Sequence, residues 1–112
     1  MGSNSKRIAK VNDLIRDELG VVLRHELDFA DDVLVTVIRV DTSPTMEHAT
    51  VFISVIPDKR SSAVMRHIKR DIYNIQQELN KKIVVRPVPK IRFEVDTSGD
   101  HIQRIEKLLE NQ

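Results

Sequence analysis

The chain has 112 residues, 40% hydrophobic and 31% charged, with a formal net charge of +1. That size predicts one globular domain, which buries roughly two-thirds of the surface its unfolded chain exposes. Cysteine is absent, which excludes disulfides, thiolate metal sites and a thiol nucleophile; the apolar runs are too short for a bilayer span or a signal core, so a cytoplasmic protein is expected.

Residues 1–5 read as a flexible end or an expression remnant, because Lys6 stands where a myristoylation pattern needs Ser or Thr. The domain is expected over 6–110. Ile8, Val11, Ile15, Leu19, Val22 and Leu23 recur at steps that predict an amphipathic helix over about 6–26. The acidic, turn-prone run at 28–32 then gives way to a β-branched strand at 33–41. A second strand is predicted at 49–56, with Ala49, Val51, Ile53 and Val55 on one face, and Pro44 lies in a hairpin connection between the two. Pro57 closes this strand, and Ser61 or Ser62 is expected to cap the next helix. Val64, Ile68, Ile72, Ile75 and Leu79 carry the helical stripe without interruption to about residue 82. Pro87 and Pro89 enforce an extended approach to a third strand at about 91–95, where Ile91, Phe93 and Val95 alternate with Arg92 and Glu94. A closing helix is predicted over 100–110, capped near Ser98 to Asp100 and burying Ile102, Ile105, Leu108 and Leu109. The order α-β-β-α-β-α predicts an α+β fold, a three-stranded sheet packed against helices, and the layout resembles the type II KH fold.

Charge is strongly segregated along this order. Residues 59–93 carry ten basic and two acidic side chains, whereas 1–58 carry six and ten, and 94–112 carry two and five. A nearly neutral chain so polarised presents a local positive potential, which attracts polyanions through counterion release. Arg66, Lys69, Arg70, Lys81 and Lys82 fall largely off the apolar stripe, so the charge is expected to be displayed. The plain alternative is a solvated helix face or a basic interface for an acidic protein partner.

Other chemistry has little support. His25, His48, His67 and His101 are scattered without ligand spacing, so no metal or other cofactor is expected. Glycine occurs only at positions 2, 20 and 99, which excludes a P-loop, a dinucleotide fingerprint, a nucleophile elbow and the GxxG clamp of ordinary KH domains. Adjacent acids such as Asp31 and Asp32 point in different directions on a helix and read as solvation, so neither an enzyme nor a small-molecule substrate is expected. Of the rings, Phe93 is expected in the core by alternation and Phe29 and Phe52 by general burial tendency; Tyr73 completes the set. Recognition of a phosphate backbone by Arg and Lys remains.

Two stretches carry a family resemblance. In 35–55, Val40 and Ser43 match a V-x-x-S strand end, and Ala49, Val51 and Ser54 match the strand that follows. In 78–98, Arg86, Pro89, Ile91, Phe93 and Asp96 match an R-x-x-P-x-I-x-F-x-x-D pattern, followed by Arg104, Ile105, Leu108 and Leu109 in a closing r-I-x-x-L-L. The chain resembles bacterial ribosome-binding factor A over about residues 6–110. The resemblance implies a type II KH-like fold without a catalytic site. It implies a factor that binds the immature 30S subunit and its 16S rRNA, supporting late maturation and precursor processing, particularly in the cold; nothing in the sequence suggests more than a monomer. A generic KH-like RNA-binding module and a protein–protein adaptor are the alternatives. One departure is visible: the family's Ala-x-Gly kink in the central helix falls on Asp71 and Tyr73, so a straighter helix is expected here. The candidate RNA-binding residues are Arg66, Lys69, Arg70, Lys81, Lys82, Arg86, Lys90 and Arg92, as charge-assisted donors to phosphate. Arg86 is also a candidate structural brace against an acid such as Asp96.

Overall fold

The computed structural model describes residues 2–26 and 32–97. Helix α1 spans Gly2–Glu26, strand β1 Leu34–Thr42 and strand β2 His48–Ile56. A short 3₁₀ turn, Asp58–Arg60, leads into α2, Ser61–Arg70; α3 covers Ile72–Lys82 and β3 covers Lys90–Val95. All three strands lie within one residue of their expected bounds. Helix α1 starts at Gly2 rather than near residue 6, and so takes in the stretch expected as a flexible end. The expected closing helix over 100–110 and Phe29 lie outside the described residues.

Strand β2 is central, antiparallel to β1 and parallel to β3. A parallel pair needs a crossover connection, which α2 and α3 supply. The central position explains the apolar run of β2: Ala49, Val51, Ile53 and Val55 are all buried on the helix-covered face. Val11, Ile15, Leu19, Val22 and Leu23 of α1, Val64 and Ile68 of α2, and Ile75 and Leu79 of α3 close over them, joined by Ile91 and Phe93 of β3. Each such side chain contributes about 1.5–3 kcal/mol by leaving water. The hairpin turn after β1 holds Met46 at a positive φ of 63°. Its amide donates to the Ser43 carbonyl at 2.8 Å, while the His48 amide donates to Ser43 Oγ at 3.1 Å.

A bulge at Ile38 breaks the alternation of β1 between Val37 and Arg39. Without it, Arg39 and Asp41 would share the inward face with Val35 and Val37; the extra residue turns them outward instead. Arg39 then lies over the Phe52 ring, 3.8 Å from its centroid. Phe52 is therefore only half-buried on the outer face of the sheet, not in the core as expected, because its odd-numbered neighbours own the inward positions.

Two expectations for the central helix are corrected. Neither Ser61 nor Ser62 caps α2, whose start has no side-chain cap bond. The 3₁₀ turn runs straight into the helix and leaves Ser61 at φ −57° and ψ −43°, helical angles rather than the extended ones a cap requires. The helix is also interrupted, at Asp71 with φ −102° and ψ 13°. That conformation has negative φ and is open to any L-residue, so no glycine is needed. Aspartate suits the break because its side chain competes with helical backbone bonding. The hydrogen bonds around it persist: the Asp71 amide donates to the His67 carbonyl at 3.1 Å and the Ile75 amide to the Asp71 carbonyl at 3.0 Å.

Candidate nucleic-acid interface

The break leaves the two halves of the helix in phase. Val64, Ile68, Ile75 and Leu79 are buried, with Ile72 half-buried between them, so one apolar stripe crosses the interruption. On the opposite side Arg66, Arg70, Tyr73, Gln77 and Lys81 recur at three- and four-residue steps and all are exposed. Lys69 flanks this row, and Lys82 ends α3 on the side of the apolar stripe; both are exposed. The same helical period that builds the core thus gathers the cations into a ridge.

Few of these charges are neutralised. Among the described residues no carboxylate pairs with Arg66, Lys69, Lys82 or Lys90. Arg70 reaches its neighbour Asp71 at 3.3 Å and Lys81 reaches Glu78 at 3.3 Å. Both cations are largely exposed, and such contacts contribute little and exchange readily for a phosphate. His67 is half-buried rather than exposed, so it stands behind the ridge instead of on it.

The remaining candidates divide. Lys90 begins β3, exposed. Arg92 points to the outer face of the sheet, in register with Thr50; its Nε donates to Thr50 Oγ1 at 3.3 Å, and it pairs with Glu94. It also shares with Lys69 the rim of a shallow groove between α2 and β3, floored by Met65, Ile72 and Ile91. Lys69 and Arg92 can therefore approach one ligand from two elements.

Arg86 is used differently. Its Nη1 donates to the carbonyls of Ile83 and Val85, both at 2.8 Å, and its Nη2 to the carbonyl of Asn80 at 3.1 Å. These are carbonyls at and just beyond the end of α3, where helices lack backbone donors and where a cation is favoured by the dipole. The brace is real, but its partners are backbone carbonyls rather than Asp96.

Sequence reasoning missed Gln76, which has a comparable structural task. Its Nε2 donates to the Pro89 carbonyl at 3.2 Å and to Asn80 Oδ1 at 3.1 Å, and its Oε1 accepts the Ile91 amide at 2.9 Å. One carboxamide thereby satisfies an acceptor and a donor on the side of β3 turned away from β2. The only available signal was a polar residue on the flank of the apolar stripe.

The family model for ribosome-binding factor A matches residues 7–109. The chain belongs to the ribosome-binding factor A family. The ribosome-binding factor A of Rippkaea orientalis is 30% identical over 110 residues, covering 96% of this chain and 86% of the relative. The crystal structure of ribosome-binding factor A from Thermus thermophilus superposes with a TM-score of 0.68 at 17% identity, over 79% of this chain and 94% of that one. A Thermus thermophilus homology model of the factor, fitted into a cryo-EM map of a 30S complex, gives a TM-score of 0.58 at 17% identity, over 78% and 88% of the two chains.

The residues that carry the ribosome-binding factor A pattern turn out to hold the fold. Ala49, Val51, Ile91 and Phe93 are core, Ser54 and Pro89 are buried, Ser43 ties the hairpin and Arg86 closes α3. The exposed ridge lies outside that pattern, so the family motif and the candidate interface are separate sets of residues. No described helix is long and apolar enough to cross a membrane.

Proposed function

We propose that this chain is a non-catalytic, monomeric, cytoplasmic assembly factor that binds the immature 30S subunit and aids late 16S rRNA maturation. Family membership supports the ribosome as target, and the relative fitted into a 30S complex supports the small subunit. The observation that carries the RNA contact is the exposed ridge of Arg66, Lys69, Arg70 and Lys81, in phase across the break at Asp71 and opposite the buried stripe. Lys82, Lys90 and Arg92 add cations outside that row, while Arg86 supports the end of α3. The residues read phosphate positions and the shape of folded RNA rather than base sequence. Their work is charge-assisted hydrogen bonding, with Arg66 and Arg70 able to bond bidentately.

Sedimentation of the tagged full chain in a cell lysate tests the proposal. Co-migration with free small subunits and not with translating ribosomes is the expected result. Migration at the top of the gradient, or binding that survives removal of RNA, would point to a protein partner instead.

A further inference from the structure

We propose that Tyr73 is a stacking platform for an unpaired base of the bound RNA, set in the middle of the cationic ridge. The inference rests on the RNA-binding reading and adds to it a contact that ionic bonding cannot supply. Tyr73 is 71% exposed, on a helix whose apolar positions are otherwise buried or half-buried. Its placement is specific: it follows Lys69 and Arg70 by one turn and precedes Gln77 by one turn, so cations and amides surround the ring on one face. A phosphate held by Arg70 or Lys69 would bring the attached nucleoside over this ring. Every base offers a π-face, and a tyrosine has only two rotatable angles to fix.

The break at Asp71 contributes to this arrangement. Tyr73 occupies the second position of α3, where the backbone has just re-entered the helix. Asp71 itself is half-buried and its carboxylate is engaged by Arg70 at 3.3 Å, so the acid nearest the ring is partly neutralised. The other exposed large apolar side chains among the described residues, Leu14, Leu34, Ile56 and Val84, lie on α1, on β1, on β2 and beyond α3. Among the described residues Tyr73 is the ring that stands free of both the core and an arginine lid.

The test uses the full chain with purified immature small subunits, comparing Tyr73→Ala, Tyr73→Leu and Tyr73→Phe by co-sedimentation across a salt series. Stacking predicts that Tyr73→Phe binds within about twofold of the parent, whereas Tyr73→Ala and Tyr73→Leu bind roughly tenfold more weakly. The slope of log affinity against log salt stays unchanged, because no phosphate contact is lost. Thermal melts of the variants should coincide with the parent, given the exposure of the side chain. Parental affinity for Tyr73→Ala, or for Tyr73→Leu, overturns the stacking. A second readout follows from composition: the chain has one tyrosine and no tryptophan, so its emission reports on this ring alone. Binding of protein-free small-subunit RNA should quench this emission relative to the unbound protein, after correction for absorption by the RNA; emission left undiminished by binding also overturns it. The underlying reading fails separately, if Lys69→Gln with Arg70→Gln leaves both affinity and salt slope unchanged.

Discussion

Arg66 and Arg86 have the same side chain and different employment. Arg66 is exposed with no carboxylate partner among the described residues, whereas Arg86 spends two guanidinium nitrogens on three carbonyls. Hydrogen bonds from a charged donor typically contribute more than neutral ones, and partial exposure keeps these at the lower end. Arg86→Gln should therefore lower stability by about 1–2 kcal/mol, read from denaturant midpoints. Arg66→Gln should leave the midpoint within about 0.5 kcal/mol while weakening small-subunit binding several-fold. Equal stability losses in the two variants would show that the assignment is mistaken. The sequence displayed both arginines in one basic block and marked Arg86 as a candidate brace, but aimed it at an acid, since its true partners depend on which carbonyls the chain leaves bare after α3 ends.

At the scale of elements, the strands were legible because β-branched runs bounded by Pro and turn residues have few other uses. The break at Asp71 was not legible, because the apolar steps run through it unbroken and the expectation had tied a kink to glycine. The bulge at Ile38 left a trace that went unread: Val35 and Val37 alternate with Thr36, and Val40 alternates with Arg39 and Asp41 one residue out of phase. Glycine is a poor residue for a helix interior, yet α1 passes through Gly20 to Glu26. A Cβ built at Gly20 meets nothing within 4 Å, so the residue is not required by packing. Gly20→Ala should raise stability by roughly 0.5–1 kcal/mol through helix propensity and a less flexible unfolded chain. A lower melting temperature for this variant would mean that the open space beside α1 is needed.

At the scale of the molecule, the charge segregation visible in the linear chain survives folding because α2, α3 and the start of β3 are neighbours in space as well as in sequence. The fold adds selection: Arg86 is committed to backbone carbonyls, Arg92 is turned to the outer sheet face, and Arg66, Lys69, Arg70 and Lys81 line a ridge. If the ridge contacts six or more phosphates, affinity for small subunits should fall by about a thousandfold or more between 50 and 200 mM salt, and Lys69→Gln should reduce the salt slope by about one. A shallow dependence, measured by co-sedimentation, would remove the phosphate mechanism. The position of Gln76 has a consequence for how the protein behaves in a crowded cell. Because its carboxamide already occupies the Pro89 carbonyl and the Ile91 amide, an incoming chain finds the first rungs of that sheet margin taken. A molecule with an exposed cationic ridge is thereby discouraged from adding copies of itself end upon end.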